Sequence, residues 1–264
     1  LAVDGSAMNH LPAALCVAFG LGAAADATLS PGAAGAILGA ATGIAFGLRP
    51  LDATVLTCVG AVGLLTRAQG EGRSGGIAAL CRALAAAAVT GLLTLAPTLV
   101  YNAATTGHPL RFTYTAVWGS LMGFDRMPWG ERLTMARAIG NTAVDAHQLN
   151  VYLLDWPLPA TVLIAVGLWM RRGRLDPSLR VAAAYLLGVV ASLFFYFHRD
   201  VLFGPRLLFS AVPAILVLLA AALVRVVDTK RPLGWRGLTV GDVAVVILVA
   251  TAVLAAASLA PRRL

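Results

Sequence analysis

Three short polar motifs hold most of the side chains in this chain that are suited to chemistry. The first is Tyr101-Asn102-Ala103-Ala104-Thr105-Thr106-Gly107-His108-Pro109-Leu110-Arg111-Phe112-Thr113-Tyr114. Gly107 and Pro109 predict a turn that gathers Asn102, Thr106, His108 and Arg111. The second is His198-Arg199-Asp200-Val201-Leu202-Phe203-Gly204-Pro205-Arg206, and the third is Gly47-Leu48-Arg49-Pro50-Leu51-Asp52. Arg49, Arg111 and Arg206 offer planar guanidinium groups, which bind phosphate bidentately. His10 and His108 could hydrogen-bond a phosphate or a sugar. Taken singly, each arginine is better explained by snorkelling to ordinary lipid headgroups; taken together, in loops shaped by Gly and Pro, the phosphate reading draws level. The two readings stand side by side.

The elements that must position these motifs are apolar. Eight runs lack a formal charge or histidine: 11–25, 27–48, 53–66, 83–107, 156–170, 181–197, 207–224 and 243–261. A membrane-crossing helix needs ~20 mainly apolar residues. Hydrophobic residues make up 59% of the 264, charged residues 12%, and the mean hydropathy is +0.83. That is too apolar for a soluble domain of this length. The expected fold is all-α: a polytopic transmembrane bundle of about eight spans, forming a single domain over 1–264. The net charge of +8 does not call for nucleic acid, because the basic residues cluster between spans, as the positive-inside bias predicts.

Two basic clusters set the expected orientation. Arg171, Arg172, Arg174 and Arg180 crowd 171–180, and Arg225, Lys230, Arg231 and Arg236 crowd the segment around 227–241. Both read as cytoplasmic. The long loop 102–150 then lies outside, on the extracytoplasmic face of a bacterial inner membrane. All four histidines fall on that side or at its membrane edge, a one-sided concentration that a reaction face requires. Placement at a cheap polar boundary explains it as well. Within the loop, Leu133, Ala136, Ile139 and Ala143 recur at helical spacing, predicting an interfacial helix over 131–149.

Other features speak of packing. Gly32, Gly35, Gly39, Gly43 and Gly47 form a small-residue ridge along the second run, which lets a neighbouring helix approach closely. Cys16, Cys58 and Cys81 show no ligand spacing and read as small apolar residues. No P-loop, His-Glu-x-x-His, Gly-x-Ser-x-Gly or Cys-x-x-Cys appears. No cofactor is implied, and no metal site. Asp125 and Glu131 could touch a divalent ion, but their spacing is unspecific.

The pattern Tyr101-Asn102 through Thr106-Gly107-x-Pro109-Leu110-x-Phe112-x-Tyr114 resembles the outer-loop signature of GT-C type membrane glycosyltransferases. The nearest group is the bacterial proteins related to dolichyl-phosphate-mannose protein mannosyltransferases and aminoarabinose transferases. Gly43 to Arg49-Pro50, Asn141 followed by Asp155-Trp156-Pro157, and Gly204-Pro205-Arg206 followed by Pro213 agree in order. The resemblance covers roughly 7–215. It implies transfer of a sugar from a polyprenyl-phosphate donor to an acceptor glycan, lipid or protein on the outer face. A carboxylate would act on the acceptor, and cationic groups would stabilise the departing phosphate. Arg49, Arg206, Arg111, Asn102, His108 and His10 are the expected phosphate- or sugar-binding residues. No acidic residue matches the family's catalytic position. With a start at Leu1, the expectation is a central and C-terminal portion lacking N-terminal spans. Two other classes remain open: a non-catalytic membrane subunit or remnant, and a transporter or flippase for a lipid-linked molecule.

Overall fold

A computed structural model describes residues 9–69, 73–119, 122–124, 131–150, 160–171, 175–196, 206–229, 232 and 238–259. The described residues are almost entirely helical, with two isolated β-bridges and no strand. In chain order the helices are α1 (His10–Ala25), α2 (Pro31–Leu48), α3 (Pro50–Gln69), α4 (Arg73–Thr106), α5 (Thr113–Trp118), α6 (Met135–Gln148), α7 (Ala160–Arg171) and α8 (Pro177–Phe194). A 3-10 turn, Arg206–Ala211, leads into α9 (Val212–Val227), and α10 (Val240–Leu259) follows.

Proline and small polar residues start these helices. Pro31 and Pro177 stand at the first helical position of α2 and α8, where a missing N–H costs nothing. Ser30 caps α2, its hydroxyl accepting from Ala33 N at 3.3 Å. Thr134 caps α6 in the same way, accepting from Arg137 N at 3.2 Å.

Among the described residues, five helices are long and apolar enough to cross a membrane: Pro31–Leu48, Pro50–Gln69, Gly75–Thr106, Pro177–Phe194 and Leu207–Val227. The chain is thus a membrane protein by the length and composition of its helices. About eight spans were expected. Helix α1 has only 16 residues and α7 only 12 among those described, about 24 and 18 Å at 1.5 Å per residue. Trp156 and Pro157, which open the fifth run, and Asp155, which that run borrows to reach spanning length, lie outside the described residues. So does the 125–130 stretch of the long loop.

The expected ridge on α2 finds its partner in α4. Gly35, Gly39 and Gly43 lie against the backbone of Ala83, Ala87 and Gly91, leaving no room for a Cβ. Thr90 and Thr94 of α4 donate across the seam to Ala36 O and Ala40 O at 2.8 and 3.3 Å. The main core forms among α1, α3, α8 and α9, around Val17, Leu56, Val189, Ile215 and Leu218. The face of α4 turned away from α2 is bare, with Ile77, Leu84, Val89, Leu92, Leu93 and Val100 exposed. Such a surface suits lipid and would be a liability in water.

Candidate functional site

Both termini of the α2–α3 hairpin bend meet at Arg49. This residue breaks the helix with an extended φ of −149° and lets Pro50 start α3. Its guanidinium turns inward and reaches three separate elements. Nε lies 2.6 Å from Asp52 Oδ2, one turn into α3. Nη1 donates to His10 Nδ1 at 2.8 Å, on the first residue of α1. Nη2 donates to Leu207 O at 2.9 Å, in the 3-10 turn. One side chain therefore ties the α2–α3 bend to α1 and to the distant 3-10 turn at one end of the bundle.

Asp52 is the most buried charge here, only 2% exposed. A buried carboxylate needs a counter-charge, and Arg49 supplies it. The pair is a close charge contact and not an aligned hydrogen bond. Two further polar groups, wholly buried, stand beside it: the Ser210 hydroxyl from the 3-10 turn and the Tyr185 phenol from α8. Neither makes an aligned hydrogen bond among the described residues. Polar groups sealed this way in an apolar core are costly, and such clusters in membrane proteins concentrate where function does.

Arg49, His10 and Asp52 line a cavity of about 320 Å³, together with Tyr114, Tyr196 and Leu193. Tyr114 comes from the outer-loop motif, through α5. Its ring stacks near Phe112, which in turn meets Phe46 of α2, with both centroid separations 5.6 Å. Partial burial pushes the Tyr114 phenol above its ordinary pKa. Next to this cavity is a second of about 270 Å³, almost purely apolar, lying between α6, α7, α8 and α9. Leu193 lines both.

Of the residues singled out in the sequence, Arg49 and His10 come together in the cavity. Asn102 is buried to 2% exposure but donates to Pro109 O at 3.1 Å, pinning its own turn. Gly107 adopts the left-handed φ of 76° that this turn needs. The His108 ring accepts from Leu110 N at 3.3 Å. Arg111 is exposed, and its carbonyl accepts from the Thr106 hydroxyl at 3.0 Å. This motif folds as a self-bonded turn, and only its distal Tyr114 lines the cavity. Arg206 starts the 3-10 turn, but its side chain lies outside the described residues, as do Asp125, Trp129, Asp155 and the segment 197–205. Glu131 pairs with Arg137 at 2.9 Å, both partners well exposed.

Helix α6 begins four residues later than predicted, and its apolar stripe, Ala136, Ile139 and Ala143, is exposed. Inward, Ala138 of α6 and Leu133 just before the helix meet Phe124 and Phe194. Sequence reasoning placed Asp52 on the outer side without giving it a role, and it passed over Tyr185 and Ser210. A lone tyrosine and a lone serine in apolar runs give no sign of their partner. Compared with models of protein families, with curated proteins and with solved structures, the chain matches none.

Proposed function

We propose that the cavity at Arg49 receives the phosphate end of a polyprenyl-phosphate-linked sugar, in a GT-C-like glycosyltransferase of a bacterial inner membrane. The acceptor meets the sugar on the outer face. The observation that carries this reading is the pairing of two cavities. A polar one of about 320 Å³ holds Arg49, and an apolar one of about 270 Å³ shares the Leu193 wall. An amphiphile with a charged head and a hydrocarbon tail has that shape and polarity. Arginine held in a low-dielectric cavity suits an oxyanion that gains charge as the sugar leaves. Asp52 is engaged with Arg49 and is not assigned as the base.

Binding tests this directly. A short prenyl phosphate should protect the purified chain in detergent against thermal unfolding, and the matched prenyl alcohol should not. Arg49→Gln should abolish the difference. Equal protection by phosphate and alcohol would refute the phosphate role.

One observation favours a second reading, a structural role in a non-catalytic membrane subunit. Arg49 is charge-balanced by Asp52 and bonded to His10 and Leu207 O, the arrangement of a tie between helices. In that case Arg49→Gln would lower the melting temperature, and prenyl phosphate would protect neither protein.

A further inference from the structure

Helix α3 carries the Arg49 cavity at its start and a second concave site toward its other end. From Asp52 to Thr66 the helix climbs about 21 Å at 1.5 Å per residue. There a groove of about 290 Å³ runs between α3 and α8. The two helices are antiparallel, with Gly63 beside Val181 and Gly188 beside Val55. Cys58 and Ala184 therefore lie deep in the groove, and Thr66 and Arg180 at its mouth. Val62, Cys58, Ala184 and Arg180 are all exposed, so the groove opens on the outside of the bundle. Both of its helices have spanning length, and that outside is lipid.

Among the described residues that line the groove, Arg180 is the charged one. The Thr66 hydroxyl already donates to Gly63 O at 2.8 Å, so the guanidinium supplies the donors at the mouth. We propose that the groove seats an anionic phospholipid, one acyl chain lying along Val62, Val181 and Ala184 and the phosphodiester on Arg180. Arginine suits that headgroup because its planar fork meets two phosphate oxygens at once. Basic pockets between spanning helices are the usual seats of acidic lipid headgroups. The charge pattern selects an anionic lipid over a zwitterionic one, whose own choline cation offsets its phosphate. In sequence, 171–180 holds four arginines against one carboxylate, Asp176. Arg67, at the same end of α3, has another task. It donates to Ala23 O and Leu29 O at 3.0 and 2.8 Å, closing the α1–α2 bend. The site is separate from the Arg49 cavity and stands whatever that cavity binds.

Photolabelling tests the assignment. The full chain is placed in phosphatidylcholine nanodiscs doped with a probe lipid carrying a diazirine in one acyl chain. The probe is either phosphatidylglycerol or phosphatidylcholine, and labelled peptides are mapped after photolysis. The bare face of α4, at Val89, Leu92 and Leu93, reports contact with bulk lipid. Relative to that face, groove labelling should be about fivefold stronger with the phosphatidylglycerol probe, the preference that one arginine confers at a membrane surface. Arg180→Gln should remove the preference. Arg225→Gln, which alters an exposed arginine in the last turn of α9 at the same end of the bundle, should keep it. Ala184→Trp, at an exposed position, should fill the groove and lower its labelling while the α4 face labels as before. Excess glycerol phosphate, a headgroup without chains, should displace neither probe. Equal labelling by the two probes overturns the proposal. So does a preference that survives Arg180→Gln or vanishes equally in Arg225→Gln, and so does groove labelling indifferent to Ala184→Trp. Displacement by glycerol phosphate overturns the lipid as occupant.

Discussion

Thr90 on α4 donates its hydroxyl to Ala36 O on α2 at 2.8 Å, across a seam where Gly39 carries no side chain. The bond is possible because the backbones meet: a Cβ on Gly39 would collide with Ala87 O and with Thr90 itself. Gly39→Leu should therefore overpack the seam, at a cost of about 1–3 kcal/mol or more. Thr90→Val keeps the shape and removes the donor, which should cost about 0.6 kcal/mol, the typical value for interhelical bonds in membranes. Gly22→Ala, at an open helical position, should be neutral or slightly stabilising. Thermal unfolding in detergent ranks the three, and the order should not change.

Arg49 and Asp52 should behave as a unit. Removing either partner leaves the other without its counter-charge, which for a buried pair costs about 3–5 kcal/mol. The Arg49→Gln/Asp52→Asn double variant should melt well above the sum of the two losses, with a coupling of about 1–3 kcal/mol. Additive losses in that cycle would show that the 2.6 Å contact contributes nothing.

Acid should act separately at the other end of the bundle. Asp26 accepts from the Thr28 hydroxyl at 2.7 Å and from Thr28 N at 2.8 Å. These bonds favour the carboxylate and hold its pKa below the usual aspartate range, with a smaller effect from Arg67. Its contribution to stability is present above the unfolded value of about 3.9 and is lost as pH falls through the lower folded value. Asp26→Asn should flatten the acid limb of the melting curve below about pH 4 and leave the behaviour between pH 5 and 8 unchanged.

Orientation can be read by labelling. On a cysteine-free background, a cysteine at His108 should react with an impermeant maleimide in intact cells. One at Ser178 should react only after the membrane is opened. Both sites are exposed. The reverse pattern would invert the bundle and move the Arg49 cavity to the cytoplasmic side.

Arg49 and Arg111 should separate in a ligand assay. Arg111 is exposed and is not among the residues lining the cavity of about 320 Å³ at Arg49. Arg111→Ala should leave prenyl-phosphate protection intact, while Arg49→Lys should weaken it, since a point charge replaces the planar fork. Equal effects would remove the cavity's claim to the phosphate.

What the sequence made legible follows from which physical signals are local. Long apolar runs report burial in lipid, so the spanning helices could be read directly. The glycine spacing on α2 reported close approach, although it could not say that α4 was the partner. Arg82 bounds an uncharged run in the sequence, yet α4 runs through it from Arg73, because one cation near a helix end is cheap at the headgroup level. The site itself was less legible. Arg49 to Leu207 spans 158 positions and Arg49 to His10 spans 39, and nothing in a polar residue's own segment names so distant an acceptor. The Asn102–Arg111 motif misled for the opposite reason: its polar groups bond to one another within ten positions.

Helix α4 carries a mechanical consequence. Its 34 residues extend about 51 Å at 1.5 Å per residue, against a hydrocarbon layer of about 30 Å. Tilt absorbs part of that surplus, and the remainder must stand clear of the lipid as a rigid post. The surplus is set by helix length, so deleting one turn of α4 would shorten it by about 5.4 Å.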